Sequence, residues 1–229
     1  LVLFEQHGIV PGRELMSDDV IYSFKRFADA NINVKSWSLL DGSIEGLNEF
    51  RAATQKAGAA ADYAKLDIAG LKKTGSHTFT ITLTAANPRF VQLLAIPPLS
   101  IVPAEAVRAF GDEFGVRPIG TGPFTLDKAE RKGTLRFLKY ARYHVRYPST
   151  GMPGDAEAGR LADAGKPLPL VDVVEMPLIE EPQPRVLSFL NGDFDLVFLD
   201  RAHFTKMIER SAAGVLQLKP EYGGKYVAH

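Results

Sequence analysis

The chain has 229 residues, 45% of them hydrophobic and 24% charged, enough for one large or two small domains with a real core. Lys plus Arg and Asp plus Glu each number 27, so no broad field is available to hold nucleic acid or an anionic membrane. The absence of cysteine excludes disulfides, thiolate metal sites and a cysteine nucleophile, and no run approaches the roughly 18 apolar residues that a membrane span needs.

Residues 1–4 read as a strand and residues 8–12 as a turn. Leu1-Val2-Leu3-Phe4 is too short for a signal peptide, so an exported protein is expected to have lost its targeting segment. The first helix is well signalled: Ser17 as cap, Asp18 and Asp19 at the positive end of the dipole, Lys25 and Arg26 at the other. Val20, Ile21, Phe24, Phe27 and Ala28 fall on one face at helical spacing and should be core. A loop over residues 31–43 carries Trp37, the only tryptophan. Trp37 has two readings, a packing residue or a platform for an apolar ligand group. Residues 47–56 read as a second helix, and the small-residue run 57–61 as a loop.

Residues 77–84 give the clearest strand, with Phe79, Ile81 and Leu83 alternating with threonines. Asn87 and Pro88 then suit a helix start with Phe90, Val91, Leu93 and Leu94 as its apolar side. Another helix is expected from about Pro103 to Gly111. The stretch 117–126, Arg-Pro-Ile-Gly-Thr-Gly-Pro-Phe-Thr-Leu, is a shaped turn, since two prolines fix φ and remove donors while two glycines open further conformations. Residues 124–131 and 134–140 read as strands joined at Lys132-Gly133.

Residues 147–169 carry four prolines and four glycines with little apolar periodicity, a long surface excursion with a short helix expected around residues 156–164. Residues 171–176 read as a strand, 184–191 as a helix and 194–198 as a buried strand. Together they make a βαβ unit with a right-handed crossover. A helix over 201–211, a strand over 215–218 and an extended piece over 225–228 complete the chain.

The five histidines lack metal-gathering spacing, and the acidic pairs Asp18-Asp19, Asp112-Glu113 and Glu180-Glu181 are adjacent rather than placed across a reacting bond. Gly120-Thr121-Gly122 lacks the third glycine of a dinucleotide loop, and no nucleophile elbow or Walker loop occurs. No catalytic residue, metal ligand or cofactor is assigned, which favours binding over catalysis. An α/β enzyme of hydrolase or transferase type is the rival reading.

Five segments in order carry a resemblance: residues 14–26 (ELMSDDVIYSFKR), 87–90 (NPRF), 100–106 (SIVPAEA), 117–126 (RPIGTGPFTL) and 187–196 (LSFLNGDFDL). With them the chain resembles the family 5 extracellular solute-binding proteins, the dipeptide, oligopeptide and nickel binding components of ABC importers. The resemblance implies a fragment of a bilobed periplasmic-binding-protein-like (type II) α/β fold, a mixed sheet with flanking helices plus an inserted α/β domain. Residues 14–115 then correspond to the domain inserted in the first lobe. Residues 116–229 correspond to the first-lobe α/β domain, with 222–229 starting the crossing segment and the second lobe absent. The implied location is periplasmic or cell-surface, and the implied partners are a peptide or other small solute and the permease subunits, with no nucleic acid. Nickel chelates, haem and sugars are other solutes of the family. Placed relative to the family motifs, Trp37, Ser100, Thr121 and Gly122 are the candidate ligand-binding residues. Apolar surface left where a second lobe belongs is expected to favour self-association.

Overall fold

The computed structural model describes residues 3–6, 10–130 and 133–222. By contact the chain divides into one unit of residues 1–127 and 137–174 and another of residues 128–136 and 175–229. Two expected features, the turn over residues 8–12 and the extended piece over 225–228, lie partly or wholly outside the described residues.

In the first unit, β1 (Leu3–Gln6) pairs antiparallel with β2 (Val10–Glu14), and α1 (Ser17–Ala28) follows. Ser17 does not cap this helix. It is the first helical residue, and its hydroxyl donates to the Gly75 carbonyl at 2.7 Å. The Met16 N–H is instead accepted by Asp19 Oδ2 at 2.8 Å, because a carboxylate three residues into a helix can reach back to the residue before it. The expected apolar face is the one that packs: Phe24, Phe27 and Ala28 are buried, and Val20 and Ile21 lie against the same core.

That core is completed by Leu47 and Phe50 of α2 (Leu47–Ala57) and by Leu40, Ile44, Ile68, Leu71, Phe90 and Leu99. Burying each large apolar side chain fully is worth about 1.5–3 kcal/mol, so this cluster is the main source of stability in the unit. Two buried polar groups are satisfied where they sit. Thr54 accepts the Ala30 N–H and donates to the Arg51 carbonyl, and the Lys25 ammonium donates to Asp67 at 2.7 Å and to the Tyr63 carbonyl at 2.8 Å. The Tyr63 hydroxyl donates to Asp29 Oδ2 at 2.6 Å, and burial first, then that carboxylate, pushes Tyr63 well above the usual tyrosine range.

The strand expected over 77–84 is regular only as β4 (Phe79–Ile81), paired antiparallel with β3 (Leu71–Lys73). Beyond Ile81 the extended chain changes partner. The Thr82 N–H donates to Gly70, the Thr82 carbonyl accepts from Glu45, and Leu83 bridges Ile44. This crossing requires Gly70, where a Cβ would stand 2.6 Å from the Thr82 oxygen and 2.9 Å from the Glu45 oxygen. The next helix is shorter than expected, with α3 covering only Phe90–Leu93. Its apolar side is Phe90 and Leu93, while Val91 is 74% exposed.

A second cluster forms around α4 (Ala104–Phe110), where Ala106, Phe114 and Ile119 are buried against Leu15, Val102 and Phe110. The excursion after Tyr147 contains no helix. It runs as turns, closed at its base by an Arg146–Pro167 bridge and by bonds from Tyr147 N–H to Lys166 and from Leu168 N–H to Val145. The alanines there offer helix propensity but no apolar stripe to bury, and propensity alone does not hold so short a helix.

The strands β5 (Phe124–Ala129), β6 (Thr134–Lys139) and β7 (Val173–Pro177) form one sheet in that order. In the second unit α5 (Pro182–Asn191) ends at Gly192 with φ +87°, as expected of a glycine stop. Residues 194–198 are not a strand, so the expected βαβ unit does not close. Val197 and Leu199 pack on Val186, Phe189 and Met207, while Leu196 and Phe198 are 72% and 77% exposed. The apolar run has one buried side and no hydrogen-bonded neighbour among the described residues. The following helix, α6 (Arg201–Met207), also stops early, because Ile208–Arg210 forms β8 and pairs with β9 (Leu216–Leu218), burying Ile208 opposite Leu218.

One ion network ties the first unit together. The Arg13 guanidinium grips both oxygens of Asp19, at 2.8 and 2.6 Å, and both oxygens of Glu105. It thereby joins β2 to the first turn of α1 and to α4. Asp19→Ala removes both bonds to Arg13 and the one to the Met16 N–H, but leaves Arg13 one-third exposed and still paired with Glu105, so it should cost about 1–3 kcal/mol, measured by urea unfolding. Hydrogen bonding from Arg13 holds the Glu105 carboxyl below its ordinary 4.5. Its contribution is therefore complete above pH 4.5 and is lost as pH falls through the depressed value. Unfolding midpoints of wild type and Glu105→Gln should converge as pH drops through that window.

Candidate functional site

The stretch 117–123 is pinned at both ends and open in its middle. Ile119 is 2% exposed in the second cluster, and the Pro123 carbonyl accepts the Tyr140 N–H at 2.9 Å. Among the described residues, Gly120, Thr121 and Gly122 make no hydrogen bond. Thr121 is half-buried, while Gly120 and Gly122 are exposed.

The two glycines do not have the role the sequence suggested for them. Neither takes positive φ, and a Cβ on either would meet nothing within 4 Å. The conformation does not require glycine, nor does packing among the described residues. What the missing side chains leave here is open space beside the backbone.

Trp37 begins a 3-10 turn and is half-buried against the first core. Its ring lies 6.2 Å from that of Phe27, and the Arg51 guanidinium covers it at 4.3 Å from the ring centre. Arg51 also reaches the carbonyls of Ala28 and Asp29 at 3.4 Å, so the stacked pair seals the end of α1. This geometry matches the packing reading of Trp37. Ser100 is exposed, directly between Leu99 of the first cluster and Ile101 of the second, and its N–H donates to Pro97. No hydrogen bond or ring contact joins any two of Trp37, Ser100, Thr121 and Gly122. Thr121 and Gly122 are adjacent by sequence, whereas Trp37 is held separately on the first core.

Nothing in the sequence pointed to a cavity of about 310 Å³ between β2, α1 and β4, with Met16, Val20 and Phe79 as its apolar wall. Glu14 Oε1 and His77 Nε2, 3.1 Å apart, stand at the same cavity. Among the described residues no three His, Asp or Glu side chains gather as a metal site. His203 donates through or accepts at both ring nitrogens, 2.9 Å from Asp200 and 3.1 Å from Gln183, which leaves neither nitrogen open to a substrate. No helix of the described residues is long and apolar enough to cross a membrane.

Residues 11–228 match the model of the bacterial extracellular solute-binding proteins, family 5. The chain is 34% identical over 104 residues to the periplasmic oligopeptide-binding protein OppA of Salmonella typhimurium, a match covering 45% of this chain and 18% of that protein. It is 29% identical over 134 residues to di/tripeptide-binding protein 1 of Pseudomonas aeruginosa, covering 56% of this chain and 22% of that one. Among solved structures, OppA of Burkholderia pseudomallei superposes with a TM-score of 0.61 at 18% identity, over 85% of this chain and 33% of its own. Haemophilus influenzae OppA, solved in complex with the peptide RPPGFSPFR, gives 0.61 at 17% identity over 91% of this chain and 40% of its own. The expected fold class therefore stands. The chain spans at most about 40% of the length of these solved relatives.

Gly120→Ala and Gly122→Ala should each change the stability of the chain by no more than about 0.5 kcal/mol, since neither φ nor space demands glycine. Arg51→Ala should uncover the indole, shift Trp37 emission to longer wavelength and cost about 0.5–1 kcal/mol. Both are read in one fluorescence-monitored denaturant titration. A loss above about 2 kcal/mol for either glycine variant would contradict the open geometry.

Proposed function

We propose, because this chain belongs to the bacterial extracellular solute-binding proteins of family 5, that it is part of the substrate-binding component of an ABC importer. Its task is to capture a peptide or peptide-like solute outside the cytoplasmic membrane and deliver it to the permease subunits. It acts as a binder and not as a catalyst. Residues 14–115 are the inserted domain, and residues 116–229 belong to the first lobe. The solute is held by backbone and small side chains around Ser100, Thr121 and Gly122, with Trp37 at the margin.

The observation that carries this reading is the run of unpartnered amides at Gly120, Thr121 and Gly122, with open space where side chains would stand. A peptide offers carbonyls and a terminal carboxylate as acceptors. Main-chain bonds of that kind tolerate many side-chain sequences, and closure of two lobes around the solute adds affinity only through contacts made to both. Self-association of the chain follows from the same account, through apolar groups such as Leu196 and Phe198 that have no cover within the described residues.

Calorimetric titration with trialanine and tetraalanine tests the solute reading. Wild type should bind both, and Gly122→Val should weaken binding by roughly 10-fold or more while the unfolding midpoint stays in place, a loss of about 1.4 kcal/mol. Failure of either peptide to bind, or equal binding by Gly122→Val, would overturn it. Gel filtration across a range of concentrations tests the second point: a dimer in wild type should revert to monomer in a Leu196→Ser, Phe198→Ser double variant.

A further inference from the structure

The cavity between β2, α1 and β4, of about 310 Å³, is large enough for a small molecule, and none of its lining residues is among those assigned to the solute. Met16, Val20 and Phe79 form its apolar wall and are only half-buried, so the chain itself leaves them partly uncovered. Glu14 and His77 are its titratable side chains. We propose that this cavity is a binding site for a small apolar primary amine, with the ammonium on Glu14 and the hydrocarbon against Met16, Val20 and Phe79.

The walls are held in shape by the chain's own bonds. The Ser17 N–H donates to the Ser76 carbonyl at 2.9 Å and the Ser17 hydroxyl to the Gly75 carbonyl at 2.7 Å, which ties the start of α1 to the turn before β4. Arg13 fixes β2 against α1 through Asp19 and also donates to the Glu14 carbonyl at 2.9 Å. Behind the apolar wall, Val20 and Phe79 lie against the first core. A wall already in place spares a ligand the cost of ordering it.

The polar side of the cavity selects for a cation. His77 Nδ1 lies 3.1 Å from the Ser76 hydroxyl and Nε2 lies 3.1 Å from Glu14 Oε1, and a neutral imidazole meets both contacts by accepting at Nδ1 and donating from Nε2. Glu14 Oε2 makes no hydrogen bond among the described residues, so it is available to an ammonium donor. The permanent cations beside the cavity are matched already, Arg13 by Asp19 and Glu105 and Lys73 by Asp18. Lys72 stands opposite Thr80, on the other face of the hairpin from Phe79. With Glu14 added, carboxylates outnumber cations around the cavity. The positive end of α1 does not reverse that balance, because Asp18 and Asp19 occupy its first turn. This inference stands whether or not the solute is a peptide.

The test follows the methionine methyl signals of the chain by carbon-13 NMR during titration with butylamine, hexylamine and hexanoate at neutral pH. Hexylamine should move the Met16 signal saturably and leave that of Met207, buried in another cluster, in place. Affinity should rise about 2–4-fold per methylene from butylamine to hexylamine, as apolar burial requires, and hexanoate should give no saturable shift. Glu14→Gln should weaken hexylamine binding by roughly 10-fold, with an unchanged Met207 signal showing that the fold is kept. Gly122→Val should leave hexylamine binding as it is, so the amine site and the solute site stand or fail separately. A Met16 signal that does not move, equal shifts with hexanoate, no gain with chain length, or unaltered affinity in Glu14→Gln would overturn the proposal. Loss of hexylamine binding in Gly122→Val would also overturn it, by placing the amine in the solute site.

Discussion

The first unit depends on the grip of one guanidinium on two carboxylates. Arg13 lies at the end of β2, Asp19 in the first turn of α1 and Glu105 in α4, so the network sets the angle at which the chain enters its main helix. Asp19 also accepts the Met16 N–H, so one buried carboxylate both starts the helix and anchors the strand before it. A buried charge of this kind is tolerated only with its partners in place, so the geometry is specified rather than merely stabilised. From that fixed start, α1 lays Phe24 and Phe27 into the first core. Ser23 meanwhile ties the helix to Val102 at 3.0 Å, ahead of the second core that holds Ile119. The open turn at 120–122 therefore follows directly from a residue held by that core.

Helices with a stripe and a punctuated end were legible in the sequence. The face of α1, the span of α2, the glycine stops after α4 and α5, and the register-friendly alternation at Phe79 and Ile81 are all local signals. What failed depended on neighbours distant in sequence. Residues 194–198 are apolar enough for a buried strand, but a strand needs a hydrogen-bonded neighbour, and composition says nothing about whether one is there. The Arg13–Glu105 contact spans 92 positions and leaves no local trace. Helix propensity misled at 156–164, where alanines have nothing to pack against, and at 208–210, where pairing with β9 outweighed continuation of α6.

The candidate site was legible by motif and less so by mechanism. The shaped turn could be located from its prolines and glycines, but the reason first assigned to the glycines, unusual backbone conformation, is not the one the structure supports. Gly70 shows the contrast: there a close backbone crossing explains the residue fully within the chain. At Gly120 and Gly122 nothing among the described residues demands glycine, and a Cβ on either would meet open space. Trp37, by contrast, is packed beside Phe27 and covered by Arg51.

The most direct measurement is amide hydrogen exchange of the chain, resolved at residues 120–122, with and without a mixture of short peptides. The account predicts fast exchange at Gly120, Thr121 and Gly122 in the free chain, close to that of an unstructured backbone, and marked slowing at these residues when peptide is present. Slow exchange there in the free chain would contradict the unpartnered amides. Fast exchange unaffected by peptide, with protection appearing elsewhere, would remove the turn from the binding surface.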